Sequence, residues 1–278
     1  MSHLPPRAFD LFAEAYPEQP RVIEHGLCAH PLMQLDALAD LAERLPASSI
    51  EYAHAKQPIG VTEKPPVPDI SPAEAIRRID TSGCWVALTF IDQDPAYHAL
   101  MMEVIDELRP AIEPRTGAIL SPNAFVFVTS PWGVTPYHFD PEHNVLLQIR
   151  GHKIMTQFPA NDPVFSPSEA HETYHLGGPR ELTWRDEMRA RGVDYALFPG
   201  QALIVPVKTP HFVQNGPDVS ISLSITWRSE WSYAEADAHA FNAMLRKLGL
   251  DPRRPGRWPA RNRGKALGAR ALRKLRIR

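Results

Sequence analysis

Cysteine is scarce: Cys28 and Cys84 are the two in 278 residues. Two thiols exclude a disulfide-stapled scaffold and any zinc module built on four cysteines, and they suit a reducing compartment. Long apolar runs are missing as well. No stretch approaches the ~18 residues a membrane helix needs. The N-terminal MSHLPPRAFDLF has no basic stretch followed by an apolar core, so neither a span nor a secretion signal is expected. Net charge is lacking too. Thirty Lys and Arg stand against thirty-two Asp and Glu, a formal charge of −2, so overall charge recruits neither nucleic acid nor an anionic membrane. A cytoplasmic globular protein is expected, with 44% hydrophobic residues to build its core.

Proline, by contrast, is abundant. Its 29 copies disfavour a helical bundle, because proline breaks helix interiors, and point to strands and turns. Before residue 110 the pattern is mixed. Leu32, Leu35, Leu38, Leu41 and Leu45 recur at helical spacing over His30 to Leu45, closed by Pro46. Pro58 to Pro68 reads as a connector. Ser71 and Glu74 form a capping-box pattern for a helix running to about Asp80, Cys84 to Ile91 is a buried-strand pattern, and Asp94-Pro95 opens a helix expected to end near Pro110.

From about Gly117 to Trp227 the period changes to two. Ala124 to Thr129, Asn144 to Ile149, Lys153 to Phe158, Gln201 to Val205 and Val219 to Trp227 are short β-rich runs between Pro/Gly turns, the signature of an antiparallel sandwich or barrel. Asn161 to Val193 is a polar insertion with a helix expected around Glu181 to Arg191. Ala234 to Leu248 reads as a helix. Beyond it lies an unbalanced tail: from Arg246 onward there are thirteen basic residues and one acid, Asp251.

Within Tyr137-His138-Phe139-Asp140, strand geometry turns His138 and Asp140 to one face, where they can converge on one metal ion. His211 opens a later apolar strand, and antiparallel sheets bring strands remote in sequence together. Two imidazoles and one carboxylate leave coordination positions open, the arrangement of non-haem Fe(II) oxygenases. A lone His-x-Asp is weak evidence.

Its neighbours add to it. Thr135 to Lys153, together with Leu197 to Gly216, closely resembles the JmjC/cupin-like (Cupin_8) 2-oxoglutarate oxygenases, and within them the branch of the asparaginyl hydroxylase that acts on hypoxia-inducible factor. Thr135 stands three residues before the metal histidine, Asn144 six after and Lys153 fifteen after, as in that branch. The likeness covers residues 115 to 228. It implies a double-stranded β-helix (jelly-roll) core over 111–228; with the mixed α/β extension over 1–110 and the helical C-terminal segment over 229–278 that the residue pattern gives, the expected fold is mainly β with α. It also implies Fe(II) held by His138, Asp140 and His211, and the cosubstrate 2-oxoglutarate held by Thr135, Asn144 and Lys153. A buried distal carboxylate needs a cation and donors, and Lys153 with the Thr135 hydroxyl would supply them. The activity implied is dioxygenation, hydroxylating or oxidatively demethylating a protein or small molecule.

Other readings stand beside this one. A cupin can keep a metal without catalysing oxidation, as a regulatory or scaffolding protein. His143 is expected in a loop and His152 at the surface. His171 and His175 have the i, i+4 spacing of a helical metal pair, but Gly177, Gly178 and the lack of a third ligand nearby favour a lid. Trp227 and Trp231 read as core or interface. The basic tail has three readings: a solvated end, a homodimer contact through the C-terminal helix as in the related hydroxylases, or a nucleic-acid contact. The last is least favoured, because few aromatics interleave and no motif is present.

Overall fold

A computed structural model describes residues 2–60 and 66–276. Part of the Pro58–Pro68 connector therefore lies outside the described residues. The strands are β1 (Arg21–Glu24), β2 (Ile50–His54), β3 (Cys84–Leu88), β4 (Ile119–Thr129), β5 (Val134–His138), β6 (His143–Arg150), β7 (Lys153–Gln157), β8 (Val193–Leu197), β9 (Gln201–Val205), β10 (His211–Asn215) and β11 (Ser220–Ser229). They form a seven-stranded sheet in the order β1-β9-β6-β11-β4-β3-β2 and a four-stranded sheet in the order β5-β10-β7-β8. Every pairing is antiparallel. This is a jelly roll, and β1 to β3, all from before residue 111, widen its larger sheet.

Alternation along the large sheet divides its residues between two faces. Val145, Leu147 and Ile149 of β6, Leu223, Ile225 and Trp227 of β11, and Ala124, Val126 and Val128 of β4 pack with the helices in the main core. Their neighbours Asn144, Leu146, Ser224, Thr226, Phe125 and Phe127 face the smaller sheet and line a cavity. Both faces of β6 are covered, so seven of its eight residues are buried.

The helices are α1 (Pro6–Ala15), α2 (Leu35–Arg44), α3 (Pro72–Arg77), α4 (Pro95–Thr116), α5 (Ser168–Tyr174), α6 (Glu230–Lys247) and α7 (Arg263–Arg276). Several boundaries differ from expectation. α2 starts later than His30 because a 3-10 turn, Pro31–Met33, precedes it. α3 is capped by Ser71, whose hydroxyl accepts from the Glu74 N–H, but the Glu74 carboxylate turns to Arg78 instead. α4 runs through Pro110 and Pro114 to Thr116. Its buried row Tyr97, Leu100, Val104, Leu108, Ala111, Ile112 continues past Pro110, so tertiary packing outweighs the lost backbone bond. Residues 181–191 form only a 3-10 stretch, Asp186–Arg191. β1, β2 and β8 are edge strands of four or five residues with one buried residue each, too short an alternation to stand out from sequence.

α6 begins at Glu230 because Ser229 and Ser232 cap it reciprocally. The tail is no solvated end. Arg270 and Arg273 both meet Asp237 of α6, Ala266 and Ala269 are buried, and Gly268 lies so close to the Phe241 ring that a Cβ would come 2.6 Å from it. Arg246 pairs with Glu172, and Arg257 with Glu18. The excess cations of the tail clamp it to the acidic body. Among the described residues no helix is long and apolar enough to cross a membrane.

Candidate metal centre

The smaller sheet assembles the triad. His211 lies opposite His138 in the β10–β5 ladder, with Asp140 just past the end of β5. The donor atoms of His138, Asp140 and His211 lie within 4.8 Å of one another. Asp140 Oδ1 is 3.8 Å from His138 Nε2, and Oδ2 is 3.7 Å from His211 Nε2. These gaps are too long for hydrogen bonds and leave space for an ion between the three groups.

Proton positions suit a metal. His138 Nδ1 sits 2.6 Å from the Pro136 carbonyl, and His211 Nδ1 sits 2.8 Å from the Thr209 carbonyl. A carbonyl can only accept, so each Nδ1 carries the proton and each Nε2 turns a lone pair toward Asp140. Burial, then the neighbouring ring, pushes His138 down to about 3, and burial lowers His211, so both rings stay neutral as metal binding requires. Burial alone would raise the Asp140 carboxyl, but His138, Arg180 and His211 hold it below its ordinary value. Arg180 Nη1 donates to Asp140 Oδ1 at 2.7 Å.

The remaining expected residues line the same cavity of about 420 Å³. Thr135 and His138 share it although they are three apart, an odd spacing that alternation forbids. A β-bulge between His211 and Val213 breaks the register and re-aims the strand, sending Tyr137 outward into an aromatic cluster with Phe158 and Phe212. Asn144 enters from β6, its Oδ1 accepting from the Ser224 hydroxyl at 2.8 Å. Lys153 enters from β7. It does not lie on the strand beside β6, as a hairpin at Arg150-Gly151 would place it; its neighbours are Asn215 of β10 and Leu197 of β8. Gly151, at φ +66° and pressed against the Val219 carbonyl, crosses the chain from one sheet to the other.

Lys153 is 4% exposed. Among the described residues its ammonium makes no hydrogen bond or ion pair, and burial alone pushes its pKa down to about 7. A buried cation without a counter-charge is costly, and an anionic group entering the cavity beside Lys153 would offset that cost.

Sequence reasoning missed Arg180, Glu142, Trp85 and Tyr174, all on the cavity wall. Glu181 pairs with the His138 backbone, and Leu182 N–H donates to the Tyr137 carbonyl. The polar insertion is thus sewn to β5 and delivers Arg180 to Asp140. Burial and the Asp140 charge push Glu142 up to about 7. The Trp85 indole N–H is buried without a partner among the described residues. Spacing offers no signal for these contacts.

The other histidines lie elsewhere. His143 opens β6 rather than a loop; it is 2% exposed, bonds Ser229 Oγ at 2.9 Å and stacks on Trp227. His152 is half-buried against Phe198. His171 and His175 turn to His239 of α6, with ring centroids 5.1 and 5.9 Å away. His171 Nε2 sits between Ser166 Oγ and an Arg254 N–H. Trp227 is wholly buried and Trp231 nearly so.

No family model matches the chain. Over 103 residues it is 31% identical to the lysine-specific demethylase JMJ30 of Arabidopsis thaliana, covering 35% of this chain and 24% of that protein. The matched stretch thus spans about a quarter of that relative's length. The fold is shared with solved structures. Escherichia coli ycfD superposes with a TM-score of 0.51 at 17% identity, covering 97% of this chain and 67% of that one. YcfD, a ribosomal oxygenase from the same organism in complex with cobalt and 2-oxoglutarate, gives 0.51 at 17%, covering 100% and 68%.

Proposed function

We propose that the chain is an Fe(II)- and 2-oxoglutarate-dependent oxygenase. The observation that carries this is a single cavity holding both two neutral imidazoles with an ionised carboxylate and, among the described residues, a buried ammonium without a partner. A ligand with a metal-chelating end and a distal carboxylate satisfies both at once. The partial likeness to a demethylase, and to an oxygenase fold whose complex contains cobalt and 2-oxoglutarate, supports the same reading.

His138, Asp140 and His211 hold the ion in this proposal. Lys153 and the Thr135 hydroxyl receive the distal carboxylate, and Asn144 stands near the chelating end, as in the asparaginyl hydroxylase branch. With dioxygen as the oxidant, bound iron and 2-oxoglutarate would supply the oxidation of a substrate C–H bond coupled to decarboxylation of the 2-oxo acid, one oxygen atom going to the substrate and the other to succinate as CO2 leaves. The chain's part is to orient these groups: Arg180 steadies the Asp140 carboxylate through its 2.7 Å hydrogen bond. The product is a hydroxylated carbon or, where that carbon is a methyl on nitrogen, a demethylated amine with the methyl carbon leaving as formaldehyde. The substrate is a protein side chain or a small molecule.

Succinate release with Fe(II) and 2-oxoglutarate tests this. Turnover in the wild type and its loss in a folded His138→Ala variant are expected. Tight metal binding with no metal-dependent turnover across a broad substrate panel would instead establish a non-catalytic metal-binding cupin.

A further inference from the structure

Lys208 is 1% exposed and plays no part in the cavity. It sits in the turn between β9 and β10, three residues before His211, with φ +57°. That left-handed conformation is unfavourable for a residue with a Cβ, and something must hold it. Its backbone N–H donates to the Asp140 carbonyl at 2.7 Å. Its ammonium donates to Glu235 Oε2 of α6 at 2.5 Å, and Glu235 Oε1 takes the His239 Nε2–H at 2.9 Å. One residue earlier, the Val207 carbonyl accepts from Arg257 Nη1 at 2.9 Å. On the other side, the Pro141 carbonyl accepts from Arg228 Nη1 at 2.7 Å.

A buried Lys–Glu pair is a poor stability device, since desolvation offsets most of its attraction and an apolar pair of equal volume often does as well or better. Such pairs are best attested as devices that fix register. Here the element fixed is the junction of two turns, one carrying Asp140 and the other His211.

We propose that Lys208 and Glu235 are positioning residues for the metal set, locking the His211 turn against the Asp140 turn from α6. The C-terminal helix is then part of the metal centre without touching it. This rests on the metal reading above.

The test is titration of untagged full-length protein with Co(II), followed by visible absorption, beside a thermal melt. The variant Lys208→Met/Glu235→Met removes both charges together, so no unpaired ion stays buried. It is expected to melt cooperatively near the wild type while binding Co(II) about tenfold more weakly or worse, toward the effect of losing support behind a metal ligand, with an altered spectrum, because the two turns lose their side-chain anchor on α6. Wild-type affinity and spectrum in this variant would overturn the proposal, because a merely structural pair moves only the melt. Glu235→Gln, which keeps the shape, is read in the same titration: weakened binding supports the proposal, and unchanged binding overturns it even if the double variant fails to fold. Should the wild type itself bind no Co(II), the metal reading falls, and the two failures are told apart.

Discussion

His138 and His211 are opposite partners in the β5–β10 ladder, with ring centroids 4.3 Å apart. Two residues 73 positions apart therefore share one rung, and a one-residue slip would turn one of them out of the cavity. Each Nδ1 is already bonded to a carbonyl, so each ring's remaining function is its Nε2. Replacing either histidine by alanine is expected to abolish Co(II) binding while preserving a cooperative melt. A variant that still binds Co(II) with wild-type affinity would remove that histidine from the metal set.

Lys153→Met is expected to separate stability from ligand binding. The substitution removes an unpaired buried ammonium and keeps most of the side-chain volume. The ligand-free protein should therefore become more stable, its Tm rising about 2–4 °C for each kcal/mol recovered. Affinity for 2-oxoglutarate should fall about 30-fold or more, as when one partner of a buried charge pair is truncated, with Co(II) binding unchanged. A less stable variant that keeps its 2-oxoglutarate affinity would sink the assignment.

The same lysine sets a pH dependence. In the free protein burial brings Lys153 to about 7, and a carboxylate beside it would raise that value again. Below pH 7 the ammonium is already charged and Lys153 adds no further pH dependence. Above pH 7 binding must take up a proton, so affinity falls by up to tenfold per pH unit. Calorimetry of an unreactive 2-oxoglutarate analogue on Co(II)-loaded protein, in buffers of different ionisation enthalpy, reads this proton directly. Constant affinity from pH 7 to 9 without proton uptake contradicts it.

Alternation made the sheets legible. The runs at β4, β6, β7, β9 and β11 stand where period two places them, and His138 with Asp140 share a side as i and i+2 should. Three features broke the local rules. The bulge opposite Thr135 and His138 depends on a partner strand more than seventy residues away, so no pattern near Thr135 encodes it. The turn at Gly151 crosses between sheets where a hairpin would have stayed in one, a choice made by the Val219 backbone pressed against it. α4 ignores two prolines because its apolar row is buried along its whole length. Arg180 and Lys208 were invisible for the same reason: their roles exist only after the insertion has paired with β5 and α6 has docked.

Acid should unfold the protein through its buried histidines. His143 and His239 are 2% and 1% exposed. Burial, then nearby cations, pushes them down to about 3 and about 4, against an ordinary value near 6.5. Above pH 6.5 both are neutral in folded and unfolded chains, and stability does not depend on them. As pH falls below 6.5 the unfolded chain takes up protons that the folded protein refuses until it reaches those lower values, so stability falls with pH across that window. Each histidine costs about 2 kcal/mol between pH 6.5 and pH 5. Urea melts at pH 7 and pH 5 should show the loss. His143→Phe keeps an aromatic ring against Trp227, and Ser229 Oγ retains its bond from the Ser232 N–H. That variant should unfold with about one fewer proton taken up at pH 5, and an unchanged slope of stability against pH would show that His143 is already charged in the folded protein.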